Sequence, residues 1–402
     1  RENKRNMIDF IKQLFGIQSK YEPHPDAVII SCFFNPQNSY YRLKAFRQFY
    51  ESIQHTNHFI LECVIGKANP QLPDSKFIKR VYTENLLWHK ESLLNKIISD
   101  HIEKDFKYIF WVDADVLFTN PNWIVEGVDE LERHNIIQPF EYCIHLEKNE
   151  TKPTFNVDEH RKKIYDINYS NRRLWRSFAA NYKTANLNFA QNENYNIHGH
   201  VGFAWGAKRE IITKVPLYDR ALIGGADHII AHAATGQIPH SCITKSFTDN
   251  LEEVLTWSKK FFQQTKGKVG FVKGDLYHLW HGDIDKRQYL KRIQDFTAKT
   301  KQIVHKDENG LYITQSGDDE YMKKYFKHRE VMSDNDYLSS MGIHYMTNSD
   351  RNDSTEDAII ASSFLDNEKE ITGGGGEMGG AGASGSWDDN SSSHTAQSDN
   401  FS

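Results

Sequence analysis

Residues 107–118, KYIFWVDADVLF, decide how the chain is read. Tyr108 to Val112 are apolar or aromatic without a break, the pattern of a strand covered on both faces, and two aspartates, Asp113 and Asp115, follow at once. A strand of that kind belongs to a parallel sheet with helices packed over it. Polar residues at its carboxyl end lie where an open α/β sheet receives a ligand. Carboxylates one residue apart can share one hard cation, and such a cation can bridge two phosphates. Solvated turn aspartates are the commoner use of Asp-x-Asp; the placement of this pair directly behind a buried strand weighs in favour of a metal.

Working outward, the alternation of strand and helix continues. Upstream, Ala27–Phe34 (AVIISCFF) reads as a buried strand ending in Asn35-Pro36, Tyr41–His55 as a helix with Leu43, Phe46, Phe49 and Tyr50 on one face, His58–Ile65 as a second strand and Leu87–His101 as a helix. Downstream, Gly202–Trp205 resumes an apolar segment, Ala226–Thr235 reads as a helix and Lys268–Trp280 as one or two strands; a charged helical region runs from Asp285 to about His305. The expected fold is α/β, a mixed, mostly parallel sheet flanked by helices. An amphipathic helix over 1–24 precedes a domain spanning 25–345. Residues 346–402, rich in Gly, Ser and Asp, read as a disordered acidic tail. Thr151–Asn196 is polar and long enough to suggest a functional loop or lid.

The formal net charge of the 402 residues is −5. Asp350–Ser402 alone carries −9, so the rest of the chain is mildly basic at +4. That suits a ligand bearing phosphates and falls short of a dedicated nucleic-acid binder. The four cysteines, Cys32, Cys63, Cys143 and Cys242, form no CxxC pair; Cys32 and Cys63 sit in strand-like runs, which favours buried thiols and a reducing compartment. No stretch is apolar enough to span a membrane, and the first segment lacks the apolar centre of a signal peptide, although the chain opens at Arg1 and a removed leader stays open. The expected location is the cytoplasm.

Two further motifs follow apolar runs. In Tyr277-His278-Leu279-Trp280-His281-Gly282 a neutral imidazole can supply a ligand to a divalent metal, whereas for either histidine alone a structural corner is the commoner use. A zinc site would need further Cys or His partners at ligand spacing, and none is present. In Ile223-Gly224-Gly225-Ala226-Asp227-His228 two glycines allow close approach of a ligand, and Asp227 is either a base for an acceptor hydroxyl or a helix N-cap.

Taken in order, these motifs resemble those of GT-A glycosyltransferases of a bacterial and phage-type group, with base-J-type DNA glucosyltransferases as distant relatives. The resemblance covers about Ile29 to Arg292. It is carried by Cys32–Pro36, by Leu87–Asn95, by the Trp111–Phe118 run with Trp123, by His200–Trp205, by Gly224–Asp227, and by Tyr277–Gly282 followed by Arg287, Tyr289 and Arg292. His89 and Ser92 stand where the group has Gln and Arg, and Val201 where it has Pro.

The resemblance implies a metal-dependent transfer of a sugar from a nucleotide diphosphosugar, most readily a UDP-sugar, with Mn2+ or Mg2+. Residues 25–120 would form the donor-binding half and 121–300 the acceptor and catalytic half. Asp113, Asp115 and His281 would hold the metal. Phe34, Asn35, Pro36 and Glu62 would hold the nucleoside. Lys90, Glu91 and Asn95 would line the donor side, with Lys90 on a phosphate, beside Ala114, Trp205 and His278; Gly202, Gly224 and Gly225 would wall the sugar. Asp227 would be the general base of an inverting reaction. The acceptor stays open between a glycan, a lipid-linked molecule, a protein and, with less support from the charge, a modified DNA base. Tyr165, Tyr169, Arg172, Arg173, Trp175 and Arg176 could stack on a sugar or a nucleic acid, or simply be solvated. The rival functions are a metal-dependent phosphohydrolase and a non-catalytic module that binds a nucleotide sugar. The sequence names no partner for the acidic tail.

Overall fold

The structure is a computed structural model that describes residues 23–166, 173–184, 198–244, 247, 250–282, 305–313 and 320–329. Every described residue lies within one compact unit, Arg1–Met341. The expected N-terminal helix, the acidic tail, Tyr169 and Arg172, and nearly all of the charged region after Asp285 lie outside the described residues.

The fold is α/β. In chain order the strands are β1 (Ala27–Phe33), β2 (His58–Ile65), β3 (Ile78–Thr83), β4 (Tyr108–Val112), β5 (Val116–Phe118), β6 (Ile136–Gln138), β7 (Tyr142–His145), β8 (Leu174–Arg176), β9 (Ala204–Lys208), β10 (Val269–Phe271), β11 (Asp275–His278), β12 (His305–Lys306) and β13 (Tyr312–Ile313). The main sheet has the order β10-β6-β9-β4-β1-β2-β3. Its pairs are parallel except those of β9, which runs antiparallel to both β4 and β6. Helices cover both faces, so the strands read as continuous apolar runs: β1 sends Val28 and Ile30 to one core and Ala27, Ile29 and Phe33 to the other. At the centre Phe110 and Trp111 are fully enclosed.

Several element boundaries differ from the sequence reading. The helix expected from Leu87 begins at Lys90, because Trp88 is tied across the chain by its N–H to the Leu222 carbonyl at 2.8 Å. The apolar segment at Gly202–Trp205 is the entry to β9. Thr151–Asn196, expected to be a lid, contributes a helix at Val157–Lys163, the strand β8 and a helix at Phe178–Thr184. Within it Arg173 pairs with Glu147 and Glu150, and Arg176 with Glu141, so these two cations are already neutralised.

What positions the site is the second sheet, ordered β5-β11-β7-β8. β11 is antiparallel to β5 and parallel to β7, and the register sets His278 opposite Val116 on one side and His145 on the other. The strand that follows Asp115 is therefore clamped to the strand that carries the histidines.

Candidate functional site

The turn after β4 is built by backbone hydrogen bonds to both sheets. The Asp113 N–H donates to the Phe203 carbonyl at 2.7 Å, at the entry to β9. The Leu279 N–H donates to the Asp115 carbonyl at 2.8 Å, just past β11. These two contacts fix where each carboxylate points.

Asp115 meets imidazoles. Its Oδ2 lies 2.9 Å from His281 Nε2 and 3.8 Å from His278 Nε2, and both rings are buried. Ligand atoms of these three residues lie within 4.8 Å of one another, the one such group among the described residues. One carboxylate with two neutral nitrogens leaves room for phosphate or water oxygens on a divalent ion, a mixed set that suits Mn2+. His281 was expected here from the sequence, while His278 was expected only beside the donor.

Asp113 turns the other way. Its Oδ1 accepts from Lys90 Nζ at 2.7 Å, and the same ammonium reaches Asp227 at 3.2 and 3.3 Å. Lys90, expected on a phosphate, is thus the cation that joins the first carboxylate of the pair to the proposed base. Burial pushes the Asp113 carboxyl up to about 6, against the pull of Lys90 and with the repulsion of Asp227 and Asp115. Burial works against the Lys90 charge, but Asp113, Asp227 and Glu91 outweigh it and hold the ammonium well above its usual range. Glu91 is buried and raised to about 8 by that burial.

Asp227 does not cap its helix. The N-cap of Ala226–Thr235 is Gly225, with φ 98°, preceded by Gly224 with φ 89°, both in the left-handed region that suits glycine. Two residues inside that start, the Asp227 side chain is free to reach Lys90. Gly202 lies against the same carboxylate: a Cβ placed there would be 3.3 Å from Asp227 Oδ2.

The other expected residues are drawn in by protein contacts. Phe34 packs edge-on against Trp88 at 5.4 Å and Phe326 at 6.0 Å. Asn35 accepts from the Ser39 N–H at 3.0 Å and donates to Gln71 Oε1 at 2.8 Å, holding the turn that contains Pro36. Glu62 accepts from Arg80 Nε at 3.0 Å and from the N–H groups of Gln71 and Leu72. Asn95 is paired twice with the Leu217 backbone, at 2.8 and 3.0 Å, which ties the Lys90–Asp100 helix to the segment leading into Gly224. Trp205 is fully enclosed and donates to the Val201 carbonyl at 2.8 Å. Ala114 sits in the turn between the two aspartates.

Sequence reasoning did not single out the ring stack beside this turn. Phe203 has φ 78°, unusual for a residue with a side chain, and lies flat on His200 at 4.1 Å and on His278 at 5.0 Å. His145 joins His278 at 4.7 Å and Trp175 at 4.9 Å. His200 stands in the quoted His200–Trp205 motif, but nothing in the sequence said that it would stack across two sheets.

No protein-family model and no curated protein matches the chain. Among solved structures, glucosyl-3-phosphoglycerate synthase of Mycobacterium tuberculosis is similar over 72% of this chain and 87% of its own, with 8% identity and a TM-score of 0.35. The same synthase with Mg2+ and uridine diphosphate covers 72% and 86%, at 10% identity and a TM-score of 0.32. Its complex with Mn2+, uridine-diphosphate-glucose and glycerol 3-phosphate covers 72% and 87%, at 9% identity and a TM-score of 0.35. At this level of overlap the likeness carries no argument about the activity of this chain, and the chemistry has to be argued from its own side chains.

Proposed function

We propose that the chain is a metal-dependent glycosyltransferase of the GT-A type, moving a sugar from a nucleotide diphosphosugar to a hydroxyl with inversion. The observation that carries the reading is the division of one turn: Asp115 faces two imidazoles, while Asp113, two residues before it, faces a Lys90–Asp227 pair. A cation held by Asp115, His278 and His281, with Asp113 beside it, supplies neutralisation of the departing diphosphate. Asp227 takes the acceptor proton, and Lys90, 3.2 Å away, holds that carboxylate in place. Gly202, Gly224 and Gly225 leave room for the sugar between them. Phe34, Asn35 and Glu62 hold the wall on which a nucleoside would lie.

The distant likeness to base-J-type enzymes rests on sequence motifs, and the neutralised arginines at Arg173 and Arg176 disfavour a nucleic-acid acceptor. Among the described residues no helix is long and apolar enough to cross a membrane. The test is turnover of a panel of nucleotide sugars and simple phosphoesters, with and without Mn2+. Uridine sugars lead the panel as probes, as the resemblance of the sequence motifs implies. Mn2+-dependent release of nucleotide from one sugar donor is expected. Turnover of the phosphoesters instead would mean a phosphohydrolase, and no turnover with metal-independent binding would mean a binding module.

A further inference from the structure

Phe203 touches both halves of the divided turn. Its carbonyl accepts the Asp113 N–H at 2.7 Å, and Asp113 faces Lys90. Its ring lies against His278, whose Nε2 is 3.8 Å from Asp115 Oδ2. The residue does this from a conformation that suits it badly: φ is 78°, where a bulky side chain crowds the backbone. The other described non-glycine residues with positive φ are Asn38, Asn149 and Lys266, all exposed, whereas Phe203 is 6% exposed. Gly202, one residue before, would take a positive φ without strain and does not have one. A chain that needed only the turn would place the glycine at 203, and one that needed only apolar filling would do as well with leucine.

What distinguishes phenyl here is its flat face. Among the described rings packed on His278, Phe203 is the most nearly parallel, at 27°, against 50° for His145 and 63° for His281. Rotation of the imidazole about its Cβ–Cγ bond would swing Nε2 away from Asp115, and it would drive the ring edge into that face. His200, 4.1 Å away and 7° from parallel, backs the phenyl ring in turn.

We infer that Phe203 is a positioning residue for the metal centre: its ring sets the plane of His278, its carbonyl sets Asp113, and the left-handed backbone is the conformation in which one residue reaches both. The inference rests on the transferase reading, in which Asp115, His278 and His281 hold the cation, and adds the residue that aims the looser histidine. His281 Nε2 already lies 2.9 Å from Asp115, so His278, the more distant, gains more from being aimed. A ligand held in one ring orientation has less freedom to lose when a cation binds, so the phenyl face acts on affinity without touching the ion.

The test is Mn2+ titration of the full chain, read from the electron paramagnetic resonance of the free ion. Phe203→Gly accepts the left-handed backbone and removes the ring, while Phe203→Leu keeps apolar volume without a flat face. Each should weaken Mn2+ binding about 10–100-fold. In a His278→Ala background the same substitutions should change affinity by less than about twofold, because the ring they remove acts through His278. Thermal unfolding beside the titration separates a core-filling role. A ring that only fills the core would lower the melting temperature of Phe203→Gly and leave Mn2+ affinity as in the parent. That outcome overturns the inference, and so do losses that multiply with the loss from His278→Ala. A parent that binds no Mn2+, or binds it no better than Asp115→Ala does, removes the metal site of the transferase reading and the inference with it.

Discussion

Asp113 and Asp115 stand one residue apart and occupy opposite chemistries. In a continued strand, residues i and i+2 would share a face. Here the chain turns at Ala114 and Asp115, and the two carboxylates part. Asp115 goes to the end of β11, among imidazole nitrogens that can coordinate a cation. Asp113 goes to the start of the Lys90–Asp100 helix, where an ammonium neutralises it without offering a lone pair. In the proposed reaction the pair therefore separates cation binding from proton transfer across a single turn. A second carboxylate on the histidine side would strengthen the metal site and leave Lys90 nothing but Asp227 to hold.

Substitutions can break that separation, the largest effect first. Asp227→Asn removes the proton acceptor and should lower turnover by about 10²–10⁴ while Mn2+ affinity stays unmoved, read by steady-state rates and metal titration. Lys90→Met leaves Asp113 and Asp227 facing each other without a cation. Denaturant unfolding should show a loss of ~3–5 kcal/mol, partly recovered by added Mn2+. His281→Ala is the mirror image of Asp227→Asn: Mn2+ affinity should fall about 10–100-fold, with no loss of the Lys90 links. Glu91→Gln leaves the Lys90 links in place and tests the site through pH. Burial raises the folded carboxyl to about 8 from an ordinary 4.5, so the parent binds a proton folded that it has lost unfolded. The stabilisation that this proton confers is complete below about pH 4.5 and fades as pH climbs towards about 8, after which the loss is constant. Thermal unfolding should show the parent losing ground to Glu91→Gln across that window and holding a fixed gap above it. A flat difference from pH 5 to 8 would mean that Glu91 is ionised throughout.

Local pattern carried much of this into view. β1, β2 and β4 are buried on both faces, so their apolar runs were plain in the sequence, and the Ala226–Thr235 helix was marked by two glycines before it and one after. β3 was not legible, because Lys79, Arg80 and Tyr82 break its apolar run at the edge of the sheet. β8 was hidden because Leu174–Arg176 is three residues long inside a polar stretch. At the site, the resemblance of the motifs had put Asp115 and His281 together as candidate metal ligands, and the structure sets them 2.9 Å apart. The Lys90–Asp227 link was not legible, since it joins residues 137 apart through a side-chain geometry that no spacing encodes. Asp227 as a cap was a fair expectation that failed for a local reason: Gly225 already occupies that position.

The central claim is that Asp115 and its two histidines hold a cation on which donor binding depends. Calorimetric titration of UDP-glucose, followed by the remaining uridine and guanosine sugars, into the parent and Asp115→Ala with and without Mn2+ tests it most directly. The account predicts binding by the parent that requires Mn2+ and weakens at least about a hundredfold in Asp115→Ala. Equal affinity in the two proteins, or binding by the parent indifferent to Mn2+, would contradict it.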